Sequence, residues 1–210
     1  MYSPKLVRDS AKRWWASVSA SSQKRSDSPY VVGNHPQKGK EFSLDPRTIV
    51  RRQDREIVEQ ERVGALLENG SLCFIATTAD GQPYLHPNLY WYDAKNKRIY
   101  FHTAIKGRTR ANIERNQNVC FGIADLGSLL PADTALEFST EYASVVVFGS
   151  CKILESETEQ RMALQGLLDK YFPALKPDVD YRGITSEELE RTSVFAIEIE
   201  SWSGKEKSIT

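Results

Sequence analysis

The run Lys106-Gly107-Arg108-Thr109-Arg110 is the part of this sequence best equipped for chemistry, and the chemistry would be the holding of a phosphate. Gly107 permits a tight turn and a close approach of backbone to ligand. Arg108 offers a planar fork for phosphate oxygens. Thr109 adds a hydroxyl. A helix over 107–116 would bring its N-terminal N–H groups and dipole to the same point. Lys106 and Arg110 raise the local potential, although Arg110 and Arg115 also suit a solvated helix face. Alone, such a run is an ordinary basic turn, so the residues before it carry much of the weight.

Two strands precede it. One, over 83–92, exposes His86, Pro87 and Asn88; the next, over 98–103, ends in His102-Thr103. Pro87 cannot donate to a ladder, so it implies an edge, a bulge or a ligand-facing position. An edge leaves backbone N–H and C=O groups free, the partners that the pyrimidine edge of a flavin requires. Tyr90, Trp91, Tyr92, Tyr100 and Phe101 crowd the same strands and fit core or interface packing. His86 and His102 lack the companion donors of a metal site, so no metal is expected. No GxSxG, P-loop or GxGxxG occurs, and no cysteine sits at an electropositive helix start.

The elements that must position these residues follow from periodicity and punctuation. A helix is expected over 54–69, capped by Asp54. Strands are expected over 71–78, 83–92, 98–103, 119–124, 142–154 and 194–201. Asp80-Gly81 signals a hairpin turn. A long loop is expected over 126–140 and a helix over 157–172, stopped by Pro173. A further helical turn falls at 187–190. Consecutive strands with few helices between them predict a mainly β fold, a closed or nearly closed antiparallel barrel decorated by helices.

The 210 residues carry no formal net charge, but residues 1–40 hold +6, which leaves −6 on the remainder. An acidic body is a poor nucleic-acid binder. Residues 1–45 form a basic, serine-rich segment expected to be a mobile tail, with Trp14-Trp15 as a sticky spot within it. The barrel domain is expected over 46–207, with 208–210 as a short end. No apolar run approaches the ~20 residues of a membrane span, and no secretory signal is evident. Cys73, Cys120 and Cys151 sit in strand-like runs, as buried thiols of a reducing, cytoplasmic setting would.

At FIATTADGQPYLHPN, RIYFHTAIKGRTRANIERNQNVCFGI, YASVVVFGSCKI and IEIESWSGK the chain resembles the pyridoxamine 5′-phosphate oxidase-like, FMN-binding split-barrel proteins, closest to the nitroimidazole-resistance-like, flavin-nucleotide-binding branch. The pieces fall in order over about residues 50–207. The resemblance implies a six-stranded antiparallel split barrel that forms a homodimer with FMN at the interface. It implies an FMN-dependent oxidoreductase acting on a small molecule, with NADH or NADPH as a plausible electron donor. The phosphate would meet Arg108, Thr109 and Lys106. The ring and ribityl chain would lie along His86, Pro87, Asn88, His102, Thr103 and Ala104. Ser144 and Val145 would approach the ring, and Trp202 would close the pocket from the partner subunit. A non-catalytic flavin carrier or sensor would share these motifs. A barrel of this kind that binds haem or deazaflavin is the other alternative. The family's Arg-Leu-Ala-Pro substrate motif has no counterpart here, so vitamin B6 oxidation is not implied.

Overall fold

The computed structural model describes residues 45–208. The expected N-terminal tail, with Trp14-Trp15, and the end segment thus lie outside the described residues, apart from Asp45 and Ser208.

Chain order is β1 (Glu56–Ile57), α1 (Gln60–Asn69), β2 (Cys73–Ala79), β3 (Gln82–Asn88), β4 (Trp91–Asp93), β5 (Arg98–Ala104), α2 (Arg108–Arg115), β6 (Asn118–Leu130), β7 (Ser139–Ile153), α3 (Glu157–Tyr171), α4 (Ser186–Glu190) and β8 (Thr192–Lys207). The strands form one antiparallel sheet in the order β3-β2-β6-β7-β8-β5-β4, with β1 paired to β8. The mainly β architecture matches the expectation. The strand number does not: the sheet has eight strands instead of six. The two extra strands are short, β1 with two residues and β4 with three.

Both arise where the sequence promised something longer. The helix expected from residue 54 begins only at Gln60, because Ile57 is buried against Gly204 as an edge strand. Asp54 does not cap the helix. It lies in a 3-10 turn and pairs with Arg52 at 2.6 Å. The strand expected over 83–92 breaks at Leu89-Tyr90, and its halves pair with different partners, β3 with β2 and β4 with β5. The break is fixed by Tyr90, which is fully buried and donates its hydroxyl to Leu67 O at 2.7 Å.

The loop expected over 126–140 is shorter, running over 131–138, and its two ends belong to a hairpin arm. β6 continues to Leu130, paired with Ser139, after an irregularity between Leu126 and Leu129. Leu126, Leu129, Leu136 and Phe138 stand exposed there, so no core-facing alternation marks the arm as strand.

The local signals held. Asp80 and Gly81 take φ 53° and 75°, the conformation of a two-residue hairpin turn. Ser156 caps α3 through Glu159 N, and the helix ends at Tyr171. It lies flat on β4 because position 166 is glycine: a Cβ there would stand 2.3 Å from the Trp91 ring, which is itself stacked on Tyr100.

The core runs across the sheet. Ile75, Phe121 and Val147 form one buried row over β2, β6 and β7. Phe101 and Phe195 stack at 4.7 Å between β5 and β8. Cys73 and Cys151 are buried free thiols and Cys120 is half-buried; burial raises the pKa of all three. Among the described residues no group of side chains is arranged to hold a metal, and no helix is long and apolar enough to cross a membrane.

Candidate functional site

β3 ends the sheet on one side, so its outer edge has no ladder partner among the described residues. That explains how Pro83 and Pro87, which share a phase, fit within one strand. β4 covers β5 only as far as Tyr100, so among the described residues the edge of β5 from Phe101 to Ala104 is also bare. The two bare edges meet at Asn88, whose Nδ2 donates to His102 O at 2.8 Å. Its Oδ1 accepts from Leu89 N at 2.9 Å, so both ends of this amide are engaged in the seam. His86, Pro87 and Asn88 on one side, and His102, Thr103 and Ala104 on the other, therefore border one cleft.

The start of α2 closes the far end of that cleft. Thr109 Oγ1 and His86 Nδ1 are 3.0 Å apart, which joins the helix to β3. One turn on, Asn112 Nδ2 donates to Thr77 Oγ1 at 2.9 Å, with both side chains buried. α2 has no side-chain cap. The first helical bond runs from Ala111 N to Gly107 O, so the N–H groups of Arg108, Thr109 and Arg110 point out of the helix end. Gly107 has φ 164°, an extended conformation open to any residue, so no turn requires glycine there. Packing does not require glycine there either, since a Cβ on Gly107 would meet nothing within 4 Å.

The cations of this region divide in two. Arg110 pairs with Glu114 at 2.8 Å and also donates to Ser193 Oγ, and Arg115 pairs with Asp80 at 2.6 Å. Lys106 and Arg108 are exposed and have no ion pair among the described residues. Two uncommitted cations thus flank an open helix N-terminus in the chain, a setting in which an anion would be stabilised. His102 is exposed on the cleft side, yet the mass around it lowers its pKa by desolvation, which favours the neutral imidazole. Thr103 spends its hydroxyl on Ala104 O at 2.9 Å.

Three predicted residues stand elsewhere in the chain. Ser144 and Val145 lie on β7, three strands across the sheet from β3. The Val145 side chain is fully buried. Trp202 lies on β8, packs edge-on against Tyr92 and donates its Nε1 to Gln60 Oε1. Sequence reasoning also passed over Tyr84, Thr77 and Asn112. The available signal was phase: Tyr84 alternates with His86 and Asn88 on one face of β3, opposite Thr77, Ile75 and Cys73 of β2.

The cleft is open in a single chain. Cavities of about 570, 530 and 430 Å³ lie around Arg98, Glu159, Glu198 and Leu154, and none of the predicted site residues lines them. Beside the cleft, the outward face of β3-β2-β6-β7 is apolar. Pro87, Phe74, Gly122 and Val146 form one row and Leu85, Ala76, Cys120 and Phe148 the next. Phe74 is 41% exposed and Leu85 58%.

Comparison with known proteins fits this geometry. Residues 59–206 match the family described as pyridoxamine 5′-phosphate oxidase. The chain belongs to that family. No curated protein matches it. Among solved structures the family fold recurs in a flavocytochrome from Azotobacter vinelandii, with a TM-score of 0.67 at 24% identity over 79% of this chain and 75% of that one. It recurs in an FAD- and haem-binding protein from Mycobacterium smegmatis, with a TM-score of 0.66 at 21% identity over 74% of each chain. A putative 5-nitroimidazole antibiotic resistance protein from Bacteroides thetaiotaomicron gives 0.60 at 22% identity, over 71% of this chain and 85% of that one. At these identities the likeness establishes the shared fold.

Proposed function

We propose that the protein binds FMN in the cleft between β3 and β5 and serves as an oxidoreductase toward a small molecule, working as a homodimer with the flavin at the interface. The observation that carries this reading is the unpaired Arg108 fork at the uncapped start of α2, at the end of a cleft walled by two bare strand edges. Arg108, Thr109 and Lys106 would hold the phosphate. His86, Pro87, Asn88, His102, Thr103 and Ala104 would border the ribityl chain and ring, largely through backbone groups, since Asn88 and Thr103 already use their side chains. When bound, the flavin would supply the electron-transfer chemistry. The chain's part is to bind it, orient it and exclude water. Two proteins of similar fold are a flavocytochrome and an FAD- and haem-binding protein, which supports flavin as the class of cofactor.

The open cleft and the apolar face beside it support the dimer. Ser144, Val145 and Trp202 would reach the flavin only from a second copy; the Val145 side chain is buried within its own chain. The absorption spectrum of the purified protein, with mass identification of the released ligand, tests the cofactor. Arg108→Ala should weaken FMN retention several-fold to about a hundredfold, the worth of a charge-assisted bond of ~1.5–3 kcal/mol. Retention equal to wild type would remove the phosphate assignment, and FMN held by a strictly monomeric form would remove the interface site. Bound flavin that NADH and NADPH fail to reduce with any acceptor would favour a carrier or sensor.

One observation favours a second reading, haem. The His102 imidazole has no hydrogen-bond partner among the described residues and is biased toward its neutral, ligating form. A sharp Soret band in place of the two broad flavin bands would select it. A deazaflavin in place of FMN would be told apart by the mass of the released ligand.

A further inference from the structure

The arginines of α2 are held in two different ways, and the difference bears on the site. Arg110 and Arg115 are each fixed by a carboxylate, at 2.8 and 2.6 Å. A carboxylate holds a guanidinium by occupying its N–H donors. Arg108 is instead held by a ring: its Cζ lies 5.1 Å from the centroid of Tyr84. An aromatic face attracts the cation through its quadrupole and leaves the N–H fork unspent.

The ring is itself well placed to act as a fixed platform. Tyr84 shares a face of β3 with His86, and the two rings are 6.4 Å apart. Across the ladder Tyr84 faces Thr77, which receives the Asn112 amide of α2 at 2.9 Å. His86 meets Thr109 on the same helix at 3.0 Å. Strand and helix are therefore locked together on both sides of the Tyr84–Arg108 contact. An exposed arginine otherwise samples many rotamers, and ordering it on binding weakens the complex.

We propose that Tyr84 is a positioning residue: its ring orients the Arg108 fork over the open N-terminus of α2 so that all donors remain available to a phosphate monoester. This rests on the phosphate assignment made under Proposed function. It adds a residue outside the cleft's own list, one that touches Arg108 and acts through it.

The test compares FMN with riboflavin, which has the same ring and no phosphate, by fluorescence titration of wild type and variants. Tyr84→Leu is expected to weaken FMN about three- to tenfold and to leave riboflavin within about twofold. Tyr84→Phe keeps the ring face and should bind FMN like wild type. In an Arg108→Ala background, Tyr84→Leu should have no further effect on FMN. If Arg108→Ala leaves FMN affinity unchanged, the phosphate assignment itself fails. If Arg108→Ala weakens FMN but Tyr84→Leu does not, the assignment stands and the positioning role fails. Loss of riboflavin and FMN to the same extent in Tyr84→Leu, or failure of Tyr84→Phe to rescue, would make Tyr84 a structural residue and overturn the proposal.

Discussion

The Thr77–Asn112 contact ties α2 to the sheet, and its removal should be felt both in stability and at the cleft. Thr77 is 1% exposed and Asn112 6%, and their bond is 2.9 Å. Thr77→Val deletes the hydroxyl with little change of shape and strands the buried amide. The expected cost is ~1–3 kcal/mol, the desolvation penalty of an unpaired buried polar group. Asn112→Leu strands the Thr77 hydroxyl at a comparable cost. The pair Thr77→Val with Asn112→Leu replaces both partners by apolar groups and should recover about half or more of the summed loss. For a chain of this size each kcal/mol moves Tm by ~2–4 °C. The assay is urea and thermal unfolding of wild type, both single variants and the double, arranged as a cycle. Additive losses in the double variant would mean that the two side chains do not act as a bonded pair. FMN titration of the same set adds a second reading, since a helix freed from Thr77 should present Arg108 less accurately.

The remaining predictions concern pH and the phase of β8. Lys170 Nζ lies 3.5 Å from the Tyr90 ring centroid and its pKa is lowered to about 7 by desolvation. The unfolded chain therefore binds this proton more tightly, and stability should rise with pH from about 7. Cys73 and Tyr171 are raised to about 12 by burial, with the opposite sign, so stability should fall again above pH ~9–10, where the unfolded thiol and then the phenol ionise. Thermal melts across this range should peak between these limits, and Lys170→Met should flatten the lower limb; a wild-type curve flat from pH 7 to 9 would show that the Tyr90 face keeps the ammonium charged. In β8 the pairing steps from Phe148↔Ser201 to Gly149↔Ile199 and leaves Glu200 out of register. This bulge moves the inward phase from Phe195 and Ile197 to Trp202 and Gly204, opposite buried Val147 and Val145. Glu200→Ala, which loses only an exposed bridge to Arg47, should change stability by less than about 1 kcal/mol. Deleting Glu200 should remove the bulge and keep the phase, since Ile199, Trp202 and Gly204 would then alternate regularly opposite Gly149, Val147 and Val145, so the deletion should retain a cooperative melt; loss of that melt would show that the bend at the bulge is itself required.

What the sequence made legible was local. Asp80-Gly81 names its own turn type, Pro173 its own helix stop, and the run from Lys106 to Arg110 its own helix start. The unread parts depend on partners remote in the chain. Ile57 looks like a helix residue until Gly204 lies beside it. Residues 83–92 look like one strand until Tyr90 finds Leu67. The arm from Leu126 to Phe138 shows no alternation because it has no core to face. In the site, Arg108 was legible as an exposed fork beside glycine. Its sorting from Arg110 and Arg115 was not, because Ser193, Asp80 and Tyr84 come from other strands and turns.

The two outermost strands of the sheet, β3 and β4, are joined by Leu89 and Tyr90 alone. The barrel is thus a ribbon whose ends are tied by the polypeptide itself. Three peptide steps separate Asn88 from Trp91, so the strand ends there can never stand more than ~11 Å apart. At the opposite end no covalent tie limits the walls; they are joined by the Thr109–His86 contact and the packing of α2. Mechanically the cleft is a wedge whose apex at Asn88 is held by the chain and whose mouth at Arg108 is held by side-chain contacts alone. Opening the mouth would have to break the Thr109–His86 contact, whereas the apex cannot part at all.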